Sequence, residues 1–291
     1  MSSAVLDALV TANRPDQFGL LERVTGLLTA SPAVTHLLVR GSLASGTADR
    51  LSDVDFVVAV DDRRFIEFVS VLDALIETDL GGILPGWRDT IVGDMGGLGY
   101  VYLVNWAGHL QQMDLYVVPA SKVDLVRERT VSHPIFVREP LPRAAHEPLT
   151  DVDAFVAAKT AEPRSCTDFV IEALVVGYLI RKRIARGQEF IAYSEAYLFN
   201  NAAKNLIKAA LAPTSRFYGW YQLREEVGST PIGKACLQDL TALISSPAIP
   251  TLASLTEALG RVIAIAERAA PEAVDTLRPA IDAYRFYLEL P

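Results

Sequence analysis

Apolar positions follow two spacings along this chain, and the spacing changes near its middle. In the first half, short β-branched runs stand out at 37–39, 56–60, 100–104 and 113–118. Runs of this length and type predict buried strands. Helical spacing lies before and between them. Residues 3–13 and 15–28 read as helices, the second with Leu20, Leu21, Val24, Leu27 and Leu28 on one face. Asp61 and Asp62 cap a helix over 63–79, and 122–129 gives a short one. Asn105-Trp106-Ala107-Gly108 supplies turn residues between the 100–104 and 113–118 runs, which predicts an antiparallel pair. Glycines at 81, 82, 86, 93, 96 and 97 mark turns and a mobile rim.

From 151 onward only the helical period remains, over 151–160, 165–186, 190–211, 214–227, 230–245, 251–269 and 271–288. Prolines 134, 140, 142 and 148 read as a linker before it. The expectation is an α+β fold of two domains. Residues 1–145 form a mixed sheet flanked by helices, and 146–291 form an all-α domain.

Composition narrows the function. The chain has 291 residues and a net charge of −8, so an extended nucleic-acid surface, which needs a basic stripe, is not expected. Cys166 and Cys236 are far apart and lack Cys-x-x-Cys spacing, which predicts free thiols in a reducing, cytoplasmic setting. The four histidines lack metal-ligand spacing. The first residues do not read as a signal peptide, and no segment reads as a membrane span.

The chemistry concentrates between 35 and 60. An apolar run enters Gly41-Ser42, and after residues 43–52 Asp53-Val54-Asp55 opens the next run. Residues two apart on a strand share a face, so Asp53 and Asp55 set two carboxylates side by side. Such a pair repels unless a cation neutralises it, and hard divalent ions take these ligands and share them with phosphates. Gly41 lets backbone approach a ligand, and Ser42 offers a hydroxyl and an N–H to an anion. Downstream, Asp114 lies within the apolar run 113–118. Either motif alone is common as a turn or a solvated strand end; it is their order, with strands on both sides, that points to a site.

Strand, Gly-Ser turn, short helical loop and Asp-x-Asp strand, with a third Asp-led strand after it, resembles the signature of the polymerase-beta-type nucleotidyltransferases over about residues 35–118. The resemblance implies two Mg²⁺ ions on Asp53, Asp55 and Asp114. It also implies a nucleoside triphosphate, ATP by default, held at Gly41 and Ser42. In layout the chain is similar to aminoglycoside and lincosamide nucleotidyltransferases. That implies transfer of a nucleoside monophosphate to a hydroxyl of a small antibiotic-like acceptor, with no nucleic-acid or membrane partner and a homodimer left open. Protein-modifying nucleotidyltransfer and nucleotide binding without turnover are the alternatives. In the helical half, Glu172 on its apolar helix is either paired or lines a polar cavity, where it is an alternative general base. Lys182 and Lys204 are candidates to reach the triphosphate, against a plain reading as helix-end cations. The aromatic cluster 217–221 reads as core packing on a helix, with one ring stacked on a base or drug ring as the alternative.

Overall fold

The computed structural model describes residues 16–89, 95–138, 150–215 and 219–290. The helix expected at 3–13 and the expected division at 145/146 lie outside them. The chain separates into two compact units, Met1–Glu162 and Pro163–Pro291.

The first unit runs α1 (Asp16–Ala30), β1 (Val34–Arg40), α2 (Gly41–Ser45), β2 (Val54–Val60), α3 (Phe65–Leu80), β3 (Trp87–Arg88), β4 (Leu98–Trp106), β5 (His109–Pro119), α4 (Val123–Arg129), β6 (Ser132–Val137) and α5 (Thr150–Ala161). The six strands form one sheet in the order β3-β4-β5-β2-β1-β6. β2 and β5 run parallel; the other neighbours are antiparallel. The β4–β5 hairpin turns at Ala107 and Gly108, whose φ angles of 52° and 80° are the positive pair a two-residue hairpin loop requires.

Side-chain alternation sorts the strands onto two faces. One face sets Phe56 and Val58 of β2 and Leu115 of β5 against Leu20, Val24 and Leu28 of α1 and Phe65, Phe68, Leu72 and Ile76 of α3. The helical residues recur at three- and four-residue steps, as an inward stripe must. The other face carries a smaller cluster: Leu38, Val57, Ala59, Tyr116 and Val118 against Val123 and Val126 of α4.

Two elements of this unit depart from the sequence expectation. β6 falls where a linker was expected, because Pro134 lies within it. β6 is an edge strand, where proline is tolerated, and its ladder with β1 shifts register between Leu37 and Leu38, beside Pro134. α5 goes with the sheet: Val152 joins the larger core, and the Phe155 ring meets Phe65 edge-on at 6.3 Å. Arg88 donates to the carbonyls of Lys159 and Glu162 at the end of α5.

The second unit consists of α6 (Cys166–Ala185), α7 (Glu189–Leu211), α8 (Leu223–Val227), α9 (Pro231–Ile244), α10 (Leu252–Ala269) and α11 (Pro271–Leu288). A capping box between Ser165 and Asp168 starts α6. Gly187, with φ at 66°, follows its end in the left-handed conformation that glycine favours. Gly177 allows α10 to approach closely: a Cβ there would lie 2.6 Å from Leu259 Cδ2. The Tyr284 hydroxyl donates to the Leu174 carbonyl at 2.8 Å.

The helix expected over 214–227 forms only at its end. Gly219 and Gln222 adopt left-handed backbone with φ of 63° and 49°, which a continuous helix does not accommodate. The two described aromatic side chains of the cluster are therefore not core packing. Trp220 and Tyr221 are 39% and 72% exposed, and Phe217 and Tyr218 lie outside the described residues. Both cysteines are free. Among the described residues no helix is long and apolar enough to cross a membrane.

Candidate active site

Strand register gathers the predicted carboxylates of the first unit. Asp55 of β2 is paired with Asp114 of β5 in the parallel ladder. Asp55 is also paired with Arg40 of β1, and Arg40 with Ser132 of β6. Register partners project to the same face. A polar row, Asp114–Asp55–Arg40–Ser132, therefore crosses four strands. By alternation it lies on the face of the smaller core cluster, where Val57 and Tyr116 are its neighbours two residues along. Asp53 precedes β2 by one residue and is half-buried, while Asp55 is buried.

The turn closes on this row. Gly41 has φ of 67°, and a Cβ on it would lie 2.0 Å from Asp55 Oδ2. Glycine is required there twice, for its backbone and for the carboxylate lying against it. The Ser42 hydroxyl oxygen is buried without a hydrogen-bond partner. A buried polar atom of this kind is rare and marks a place where a ligand atom could be accepted.

Three residues that the sequence did not flag shape the site. Arg40 sets its Nε 3.6 Å from Asp55 Oδ1. Gln112, two residues before Asp114 and on its face, donates from Nε2 to Asp114 Oδ1 at 2.7 Å. Gln17 of α1 is buried and holds the loop before Asp53, its Nε2 lying 3.1, 3.0 and 3.1 Å from the carbonyls of Asp49, Arg50 and Ser52. Asp49 Oδ1 accepts from the Leu51 N–H and the Ser52 hydroxyl, tightening the same loop. The signal for Gln112 was its spacing from Asp114. Arg40 and Gln17 follow no local pattern.

The donor set suits a hard divalent cation: carboxylates on adjacent strands, in register, beside a glycine cradle and an unpartnered hydroxyl. The side chains as they stand do not close around one. Among the described residues no three His, Cys, Asp or Glu side chains form a group that could hold a metal. Asp55 faces Arg40 and Asp114 accepts from Gln112, so a cation would have to displace these contacts.

Glu172, Lys182 and Lys204 lie in the second unit, and all three are buried. Glu172 pairs with Arg164, Oε2 to Nη2 at 2.9 Å. Burial pushes its carboxyl above the ordinary range, and the charges of Arg164 and Lys204 pull it back. Lys204 places Nζ 5.6 Å from the Trp220 ring centre. Burial lowers its ammonium first, Lys208 lowers it further, and Glu172 opposes both. Glu172 and Lys204 therefore have charge partners within their own unit. The basic end of α6 is likewise engaged: Arg183 Nε lies 3.0 Å from Glu195 Oε1, and Arg181 donates to the Leu288 carbonyl at 3.4 Å.

No family model and no curated protein matches the chain. Among solved structures, a complex of CCA-adding enzyme with CTP is similar over 94% of this chain and 70% of its own, at 13% identity and a TM-score of 0.28. A likeness of that size assigns neither fold nor function.

Proposed function

We propose that the chain is a divalent-metal-dependent nucleotidyltransferase that moves a nucleoside monophosphate, with ATP as the first donor to test, onto a hydroxyl of a small acceptor. One observation carries this reading. The parallel register sets Asp55 beside Asp114, on the same row that the Gly41-Ser42 turn closes.

In this reading Asp53, Asp55 and Asp114 hold the metal. When bound, it supplies Lewis-acid stabilisation of phosphate charge and a lowered pKa for the attacking hydroxyl. The Ser42 hydroxyl donates to a phosphate oxygen, and the bare Cα of Gly41 lets the polyphosphate lie close to the backbone. The acceptor oxygen attacks the α-phosphorus, the bond to the bridging oxygen of the β-phosphate breaks, and pyrophosphate leaves. Asp114 takes the proton of the acceptor hydroxyl. A cationic, hydroxyl-rich acceptor of the aminoglycoside kind fits a chain of net charge −8.

The test is incubation with α-labelled ATP, Mg²⁺, a panel of aminoglycosides and lincosamides, and a cell lysate. Label on a small molecule, lost in Asp55→Asn, supports the proposal. Label on a lysate protein moves the acceptor to protein modification. No label on any acceptor, with any of the four nucleoside triphosphates, overturns the assignment.

A further inference from the structure

The helical unit holds a cavity of about 220 Å³ where α6, α7, α9 and α10 meet. Its floor is core. Ile180, Phe199, Leu243 and Leu255 come one from each helix, and all are buried. Its rim is different. Tyr193 and Tyr197 of α7, one turn apart, line the cavity and are 56% and 61% exposed. Residues 193, 196, 197 and 200 all line it, at the three- and four-residue steps of an inward helix stripe. Here the stripe keeps two large rings in contact with water, which is unfavourable for their apolar surface.

The walls are preformed. Ala196 contributes only a methyl, so α7 does not fill the space from its own side. Another wall is the segment after α9, where Pro247 and Pro250 fix their own φ. Such a wall loses little freedom when a ligand arrives.

The lining sets the chemistry of the ligand. Among the described residues that line the cavity, none carries a charge at neutral pH. An ion would enter without a counter-charge and lose its hydration. Neither the cationic acceptor nor the polyphosphate of the proposed reaction suits it. An apolar floor and two phenol rings favour a flat aromatic body. The Asn200 carboxamide supplies a donor and an acceptor, and among the described residues it has no hydrogen-bond partner. Size bounds the rest. An apolar cavity of about 150 Å³ holds benzene, so the larger space here takes two fused rings.

We infer that this cavity binds an uncharged aromatic compound of two fused rings, stacked against Tyr193 and Tyr197 with its polar edge on Asn200. The site belongs to the helical unit alone and does not rest on nucleotidyl transfer.

The experiment titrates the full chain with three probes that share one ring system. Indole is neutral, while indole-3-acetate and tryptamine carry opposite charges. Binding is read by saturation-transfer NMR and calorimetry. Indole should bind wild type, and each charged analogue should bind at least about tenfold more weakly. Ala196→Leu fills the cavity with a residue that suits a helix, and should weaken indole by about tenfold or more. Tyr197→Ser removes one ring and should weaken indole by about fivefold. No indole binding to wild type, equal binding of the three probes, or indole binding unchanged in Ala196→Leu overturns the site. Should Ala196→Leu not fold, as judged by circular dichroism, Tyr197→Ser decides in its place, and unchanged indole binding there overturns the site.

Discussion

The two units place acidic and basic side chains out of water in different ways. In the helical unit the pairs are drawn tight: Glu172 to Arg164 at 2.9 Å, Glu195 to Arg183 at 3.0 Å and Glu226 to Lys208 at 3.1 Å. These are short ion-pair distances, yet Oε2 of Glu172 and Oε2 of Glu226, the atoms at two of them, are buried without hydrogen-bond geometry. In the sheet unit Arg40 and Asp55 stand at 3.6 Å, beside a Ser42 hydroxyl that has no partner. Burial is common to both. The difference is whether the geometry leaves room for a third participant. The proposed function takes the wider Arg40–Asp55 spacing as the mark of a site and the closer pairs as scaffold.

The largest expected effect tests that contrast directly. Asp55→Asn and Asp114→Asn should each lower nucleotidyl transfer by about a thousandfold, since each removes several kcal/mol of charge stabilisation. Their melting temperatures should stay within a few degrees of wild type. Glu172→Gln should change kcat/KM by less than about tenfold and instead lower the melting temperature. Steady-state rates and thermal melts on the same three proteins decide the matter. A Glu172→Gln protein that folds fully yet cannot turn over would put that carboxylate in the site and break the comparison.

Next in size is the cost of stranding a committed charge. Arg164→Met leaves Glu172 buried without its guanidinium, which should destabilise the fold by about 3 kcal/mol at neutral pH in urea unfolding. The pH dependence has a fixed sign. Glu172 has a folded-state pKa above its ordinary 4.5, with burial as the main cause. The stability linked to it is fully present below 4.5 and is lost as pH rises through the raised value. Removing Arg164 raises that value further. The Arg164→Met deficit should therefore shrink as pH falls toward 4.5, and a deficit constant with pH would show that the cost comes from lost packing on the Phe169 ring.

How much of this was legible beforehand differs between the units for a physical reason. Helical periodicity is local, so six of the seven helices expected from 151 onward appear within about two residues of their expected ends. The exception, 214–227, failed at Gly219 and Gln222, where two left-handed residues interrupt a pattern that apolar spacing alone cannot distinguish from a helix. In the sheet unit the Asp53–Asp55 pair and an apolar strand with Asp114 were legible, because period two is also local, but β5 starts at His109 and carries Asp114 at its middle instead of at its head. That Asp114 stands opposite Asp55 depends on two strands being parallel neighbours, which no local pattern encodes. Arg40 acquires meaning only from its cross-strand neighbour Asp55, whereas Gln112 meets Asp114 along its own strand. β6 was concealed by Pro134, a residue that argues against an interior strand and says little about an edge.

A smaller effect separates the scaffold of the sheet unit from its site. Tyr102 is fully buried and donates to Asp73 Oδ1 at 2.7 Å, the same oxygen that accepts the Gly86 N–H at 3.1 Å. Burial, then the Asp73 charge, pushes the phenol far above its ordinary range, so it remains a donor at every accessible pH. Tyr102→Phe should cost about 1.5 kcal/mol in urea unfolding. Mn²⁺ affinity should not move. A loss of metal binding in that variant would tie the α3–β4 contact to the site.

The smallest effect belongs to His36, a buried titratable group in the sheet unit that lies on β1 four residues before Arg40. Its Nδ1 stands 3.0 Å from the Thr35 hydroxyl. Burial first, then the charge of Arg127, lowers its pKa from 6.5, with Asp124 opposing. A base with a depressed folded pKa contributes stability that is present above 6.5 and lost as pH falls through the folded value. The wild-type unfolding free energy should thus decline through this group between pH 7 and pH 5. His36→Leu keeps the strand apolar and should remove that part of the slope while leaving Glu172's opposite-signed contribution in place. The two groups then separate cleanly: acidification weakens the sheet unit through its histidine and strengthens the helical unit through its glutamate. Unit-specific hydrogen exchange at pH 5 and pH 7 should show protection moving in opposite directions in β1 and α6. A common direction in both would mean that neither group governs its unit's response to acid.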